Sequence, residues 1–234
     1  MFTLDQVVPW GRSFKEYKAM FALTEGDLEK RILGCSDGPA GFNTGLTRQG
    51  GRVISTDPLY RFSATEIRGW IDEAFTQVLE QVRQNRHEFV WNDIKDLTEL
   101  SSLRWAAMEE FLADYPSGLK EGRYREAALP DLPFEDASFD LALCSHFLFL
   151  YSDQFSLDFH LAAVRELCRV ANEVRIFPLL ELGAIPSRHL EPLITHMGKE
   201  SYSLEKIKVN YEFQKGGNQM LKVFGPQGQS QSGQ

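Results

Sequence analysis

The segment RILGCSDGPAGFNTGLTRQGGRVISTD, from Arg31 to Asp57, constrains the fold of this chain more than any other. Arg31 to Gly34 is a short β-prone run ending in glycine. Ser36 to Gly41 is a turn dense in small residues. Phe42 to Arg48 reads as a short helix that Gly50-Gly51 can end. Val53 to Thr56 is a second apolar strand, closed by Asp57 and Pro58. Strand, small-residue turn, helix, strand and acid is the order of the first half of a nucleotide-binding βαβ unit. Small residues let backbone amides approach a ligand. A carboxylate at the end of the second strand can accept hydrogen bonds from ribose hydroxyls. Gly38 and Asp57 lie 19 positions apart, near the ~20 of such a fingerprint. The turn has neither G-x-G-x-x-G nor Gly-Lys-Ser/Thr, which argues against a dinucleotide fingerprint and a P-loop. Gly34-Cys35-Ser36-Asp37-Gly38 also fits G-x-S-x-G, so a serine hydrolase with Ser36 as nucleophile competes. Against it, a single strand precedes Ser36 where such an elbow normally follows several, and no acid–histidine pair is readable.

The rest of the chain continues the alternation. Before the first strand, Ser13 to Glu16 is a capping box, followed by Phe14, Tyr17 and Phe21 at helical spacing. This N-terminal helical segment, residues 1–29, either packs over a site or closes the core. After Asp57, a second capping box at Ser63 to Glu66 opens an amphipathic helix through Ile67, Ile71, Ala74, Val78 and Val82, expected to pack on the sheet. Leu100, Leu103, Ala107, Phe111 and Tyr115 predict a further helix ended at Pro116-Ser117-Gly118, making residues 92–122 an insertion and a candidate lid. Strands are expected at Tyr124 to Leu129, Phe139 to Cys144 and Val174 to Leu180. Helices follow the last two of these. A terminal hairpin joins Leu204–Phe213 to Gln219–Phe224 through a turn at Gln214 to Asn218. Residues 226–234, rich in Gly, Gln and Ser, read as a disordered tail. The expectation is one domain over 1–225, an α/β fold with a doubly wound, mostly parallel seven-stranded sheet, helices on both faces and a C-terminal antiparallel hairpin.

Two segments carry a family resemblance. ILGCSDGPAGF and LPFEDASFDLALCSH resemble the first motif and the fourth-strand segment of class I S-adenosylmethionine-dependent methyltransferases. The likeness covers about Lys30 to Gly225. It implies S-adenosyl-L-methionine as cofactor, with S-adenosyl-L-homocysteine as product, and transfer of a methyl group to an acceptor, a small molecule by expectation. Gly34 stands where the family has an acid at the end of its first strand, and Ser36 where it has the first turn glycine. Asp37 is the candidate replacement for that acid. Asp57 matches the ribose-binding acid. Ala128 aligns with the aspartate that meets adenine, leaving that contact to backbone near Ala128-Leu129. The altered motif keeps a second reading open, a cofactor-binding protein without catalysis. A nicotinamide-dependent reductase fits the terminal hairpin less well.

Ligands of such sheets bind outside the carboxyl ends of the strands, at the switch point. This rule gathers Gly34, Cys35, Ser36, Asp37, Gly38, Pro39, Phe42, Asn43, Asp57, Pro58, Ala128, Leu129, Ser145, His146 and Phe147 as cofactor-site candidates. His146, just past a buried strand, is the candidate general base, because imidazole titrates near neutrality; a positioning role competes. Trp10, Tyr17 and Tyr151 are candidates for the acceptor pocket. His160, His189 and His196 are placed on helices without ligand spacing, so no metal site is expected. The net charge of −8 argues against a broad nucleic-acid surface, and Arg83, Arg86, Arg123 and Arg125 read as scattered solvated charges. No apolar run approaches the ~20 residues of a membrane span, and the N-terminus lacks a signal pattern. The three cysteines, Cys35, Cys144 and Cys168, are an odd number and widely spaced, and read as reduced packing residues of a cytoplasmic protein.

Overall fold

Seven strands form one sheet in the order β3-β2-β1-β4-β5-β9-β8 in a computed structural model that describes residues 1–226. The strands are β1 (Arg31–Cys35), β2 (Arg52–Thr56), β3 (Tyr124–Arg125), β4 (Phe139–Ser145), β5 (Ala171–Phe177), β8 (Ser203–Lys208) and β9 (Gln219–Phe224). The first five pair in parallel, and β9 runs antiparallel to both β5 and β8. The chain leaves β1 for β2 and β3 on one side and returns to β4 on the other. The β1/β4 edge, with Cys35 opposite Cys144, is therefore the switch point. The doubly wound, mostly parallel sheet with its antiparallel C-terminal pair is the fold expected from the sequence.

Side-chain alternation sorts the two faces. Ile32, Leu141 and Leu143 pack with Tyr17, Met20, Phe42 and Leu46 from α1 (Phe14–Met20) and α3 (Phe42–Arg48). Leu33, Ala142, Cys144 and Val174 pack with Leu161, Val164, Leu167 and Leu193 from α6 (Leu157–Val170) and α7 (Leu190–Lys199). Because β1, β4 and β5 are buried on both faces, their sequences run apolar rather than alternating. Both predicted capping boxes form, at Ser13 with Glu16 and at Ser63 with Glu66.

Several boundaries depart from expectation. Thr24 caps a separate short helix, α2 (Glu25–Leu28). Pro116 does not end α5, which runs from Leu97 to Lys120. A proline there removes one backbone donor. The following turn is held by bonds from Glu121 and Arg123 amides to the Ser117 and Gly118 carbonyls. Gly118 packs so closely on Tyr124 that an added Cβ would lie 2.4 Å from its ring. Within the 92–122 region, Met108, Phe111 and Tyr115 of α5 are buried with Tyr60 and with Tyr124 of β3. The amphipathic α4 (Ala64–Gln84) lies outside it, with Ile67 and Ile71 against α5 rather than on the sheet. β3 is two residues rather than six, since Ala128 already turns back to bond Asp131. The terminal strands are joined by a ten-residue connection that closes on the Val209 amide and Asn218 carbonyl, so β8 stops at Lys208. A small antiparallel pair, β6 (Leu180–Glu181) and β7 (Ile185–Pro186), was not legible. The predicted tail, from 227 onward, lies outside the described residues. Among the described residues, no helix is long and apolar enough to cross a membrane.

Candidate active site

Two adjoining chambers open at the carboxyl ends of β1 and β4. The outer one is lined by Asp57, Pro58, Leu59, Ala128, Leu129 and Phe147 together with Phe155 and Phe159. The inner one is lined by Tyr17, Arg12, Asp37, His146, Tyr151 and Tyr211, with apolar walls that include Phe89, Phe177 and Phe213. Ser36, Gly38, Asp57, Phe147, Val7 and Val8 face both. The turn between β1 and α3 is thus the shared wall.

Local backbone chemistry aims that turn. Ser36 and Gly38 both adopt left-handed backbone, φ 54° and 52°, a conformation an L residue such as Ser36 holds only when its surroundings enforce it. The Asp37 side chain then folds back over β1. A Cβ placed on Gly34 would lie 1.8 Å from Asp37 Oδ2. The carboxylate therefore fills the space beside the strand end where a side chain at position 34 would stand. Ser55 Oγ donates to it at 2.6 Å and the Tyr17 hydroxyl at 2.8 Å. Burial pushes the Asp37 carboxyl up to about 6; the two hydroxyls oppose that shift and the charge of Asp57 adds to it.

Asp57 ends β2 and accepts from the Gly38 amide at 2.9 Å and the Leu59 amide at 2.8 Å. Burial likewise raises its carboxyl to about 6 against those two bonds. The Tyr60 hydroxyl, which the sequence reading did not single out, donates to the Gly38 carbonyl at 2.7 Å. Both faces of the turn are pinned before any ligand arrives.

His146 is half-buried and left-handed (φ 51°), its amide donating to the Phe177 carbonyl. Its Nδ1 lies 2.9 Å from Ser145 Oγ. Burial, reinforced by the positive charges of Arg12 and Arg104, pushes its pKa well below that of free imidazole. It is neutral near pH 7. Ser36 has no such partner: among the described residues no histidine bonds its hydroxyl, and His146 engages Ser145 instead. The hydrolase triad is therefore not assembled.

The remaining candidates divide by place. Gly34, Cys35, Phe42 and Asn43 stand behind the chamber wall. Phe42 stacks on Tyr17 with ring centroids 4.6 Å apart. Asn43 bonds Ser55 Oγ, the Arg123 carbonyl and the Arg123 guanidinium, so its polar atoms are spent within the fold. Cys35 and Cys144 are buried and their thiols pushed up, so neither offers a thiolate near neutrality. Trp10 and Tyr151 line the inner chamber. His189 caps α7 rather than lying within it, and His160 holds the Leu148 and Ser156 carbonyls. Among the described residues no His, Cys, Asp or Glu cluster has metal-site geometry. Arg83 and Arg123 each pair with acids, Glu80 and Asp114.

Sequence reasoning missed the N-terminal strap and Arg12. The strap is tied by the Phe2 amide to Glu88, by Gln154 to the Leu4 carbonyl, and by the Val8 amide to the Tyr151 hydroxyl. Its alternating Phe2 and Leu4 were the available signal. Gly11 rests on the turn itself, where a Cβ would lie 2.1 Å from the Pro39 carbonyl oxygen, and the Arg12 carbonyl accepts the Gly41 amide at 2.9 Å. Arg104, fully buried, reaches Glu16 at 2.7 Å through both terminal nitrogens, and Tyr211 donates to the same carboxylate.

No family model matches the chain. A relative from Methanocaldococcus jannaschii, the uncharacterized protein MJ0045, is 32% identical over 221 residues, covering 94% of this chain and 97% of that one. Among solved structures, the magnesium protoporphyrin IX methyltransferase ChlM from Synechocystis PCC 6803, with bound SAM, is 11% identical. It gives a TM-score of 0.48, covering 91% of this chain and 77% of that one. The PH0226 protein from Pyrococcus horikoshii OT3 gives 0.47 at 12% identity, covering 91% and 92%.

Proposed function

We propose that this chain, which belongs to the family of the Methanocaldococcus jannaschii protein MJ0045, is an S-adenosylmethionine-dependent methyltransferase acting on a small-molecule acceptor. The observation that carries the reading is Asp37. The resemblance implies an acid at the end of the first strand, the chain has Gly34 there, and the Asp37 carboxylate fills that space. Two acids, Asp37 buried and Asp57 half-buried, thus flank the turn, both less acidic than in water. A cationic ligand that pairs with them is favoured, and S-adenosylmethionine has an ammonium and a sulfonium. The adenosine fits the outer chamber, with ribose hydroxyls toward Asp57 and the base between Ala128-Leu129 and Phe147. The methionine end then enters past Ser36 and Asp37.

Bound S-adenosylmethionine supplies an electrophilic methyl carbon. The chain's own residues align an acceptor behind it and exclude water. The strap, Trp10, Tyr151 and Phe177 enclose that space. His146 stays neutral near pH 7 and presents a hydrogen-bond acceptor to an acceptor hydroxyl or amine, taking a proton where the acceptor must lose one. The test is methyl transfer from label-bearing S-adenosylmethionine into pooled small acids, phenols and amines. Label appearing in an acceptor supports the reading. Tight cofactor binding with no transfer to any pool favours the non-catalytic binding protein.

A further inference from the structure

Arg12 is the one permanently cationic side chain among the described residues lining the inner chamber. It has no carboxylate of its own: it makes no ion pair among the described residues. Its Nη1 donates to the Trp10 carbonyl at 2.7 Å, and its Nε is buried with no partner. The carboxylate whose charge acts on it, Glu16, is already occupied by Arg104, the Ser13 amide and hydroxyl, and Tyr211. Arg12 and Arg104 together outweigh Glu16 by one positive charge. Asp37, on the same chamber, bonds Ser55 and Tyr17. Arg12 is half-buried with its Nε shut off from water; holding a guanidinium there without a carboxylate is costly, and the cost is removed by an anion that pairs with it. Burial and the charge of Arg104 lower the Arg12 pKa to about 10, in keeping with a missing counter-ion.

We infer that the inner chamber is a carboxylate receptor in which Arg12 pairs with the acid group of a ligand whose remaining body is apolar. Guanidinium matches carboxylate through two parallel hydrogen bonds, and the surrounding Val8, Phe89, Tyr151, Phe177 and Phe213 accept an apolar stem. Gly11, packed on Pro39, and the Arg12 carbonyl, accepting the Gly41 amide, hold the Arg12 backbone against the β1–α3 turn. An acceptor that is an aryl or alkyl acid has this chemistry; the amino-acid end of the cofactor shares the carboxylate but carries an ammonium in place of an apolar body, and is the competing bearer of the acid. Assigning the bearer rests on the methyltransferase reading; the unpaired charge does not.

Calorimetry on the full chain separates them. The first arm compares S-adenosylhomocysteine with its decarboxylated analogue on wild type and on Arg12→Met. The second compares 3-(4-hydroxyphenyl)propionate with its amide, on the free and the S-adenosylhomocysteine-loaded protein. If the cofactor bears the acid, wild type prefers S-adenosylhomocysteine about tenfold or more and Arg12→Met loses that preference, which overturns the assignment to an apolar acid. If the acceptor bears it, the nucleosides bind alike, while the acid outcompetes its amide on wild type only. Arg12→Lys should keep part of either preference. No preference for a carboxylate in either arm of wild type, a comparison that needs no variant, overturns the proposal. Failure of both nucleosides to bind would instead sink the methyltransferase reading, and the acid–amide pair on the free protein would still decide Arg12.

Discussion

Asp37→Asn should make the protein more stable and a poorer binder of cofactor. The Asp37 carboxyl is raised from 3.8 to about 6, chiefly by burial. Two units at ~1.4 kcal/mol each put about 3 kcal/mol of destabilisation on the ionised form. The amide removes that charge. It also replaces one acceptor oxygen with a donor facing Ser55 or Tyr17, a loss of about 1 kcal/mol softened by rotation of the hydroxyl. The net expectation is a gain of about 1–2 kcal/mol at pH 7.5. In a chain this long that corresponds to roughly 2–8 °C in Tm. Between pH 3.8 and 6 the folded state binds the proton that the unfolded state has released. The penalty on wild type is therefore complete above about pH 6 and relieved as pH falls toward 3.8. Urea unfolding at pH 7.5 and 4.5 measures this: the advantage of Asp37→Asn should shrink at the lower pH. S-adenosylhomocysteine affinity of the variant should drop tenfold or more, through loss of a charged partner. A variant that is less stable at pH 7.5, or whose advantage is independent of pH, would refute the reasoning.

Three further outcomes follow from the same geometry. Gly34→Ala forces Asp37 from its place and should cost ~1–3 kcal/mol in unfolding free energy together with cofactor affinity; unchanged binding would detach Asp37 from the site. Asp57→Ala leaves the Gly38 and Leu59 amides without their acceptor and should weaken S-adenosylhomocysteine by ~1–3 kcal/mol, measured by calorimetry. His146→Ala should lower turnover more than cofactor affinity. Because the His146 pKa is depressed, the wild-type rate should hold from pH 8 to 6.5, and a limb falling above pH 6.5 would remove His146 as its cause.

Much of this was legible because it is written in local pattern. Arg31 to Asp57 specifies two strands and a helix through apolar runs and glycine stops, and α3 begins and ends at the residues the pattern indicates. The β1/β4 switch point follows from that order. What stayed hidden is set by tertiary contact. Pro116 sits within α5 because Gly118 packs on Tyr124, a contact across a turn. α4 and α5 have similar apolar stripes, and only packing decides that α5 takes the inner place. Asp37 was legible as a candidate acid, but the backward fold of its side chain depends on Ser36 holding a left-handed conformation. Arg12 was invisible because its charge becomes notable only when Glu16 is claimed by Arg104, 88 positions away.

The central claim, that the Asp37–Asp57 turn binds S-adenosylmethionine, is tested most directly by titrating S-adenosylhomocysteine into the full chain at pH 7.5. Saturable one-to-one binding, strengthening from pH 5 to pH 7 as the two carboxyls near 6 ionise, is the predicted result. No heat of binding at millimolar S-adenosylhomocysteine in folded protein would contradict it.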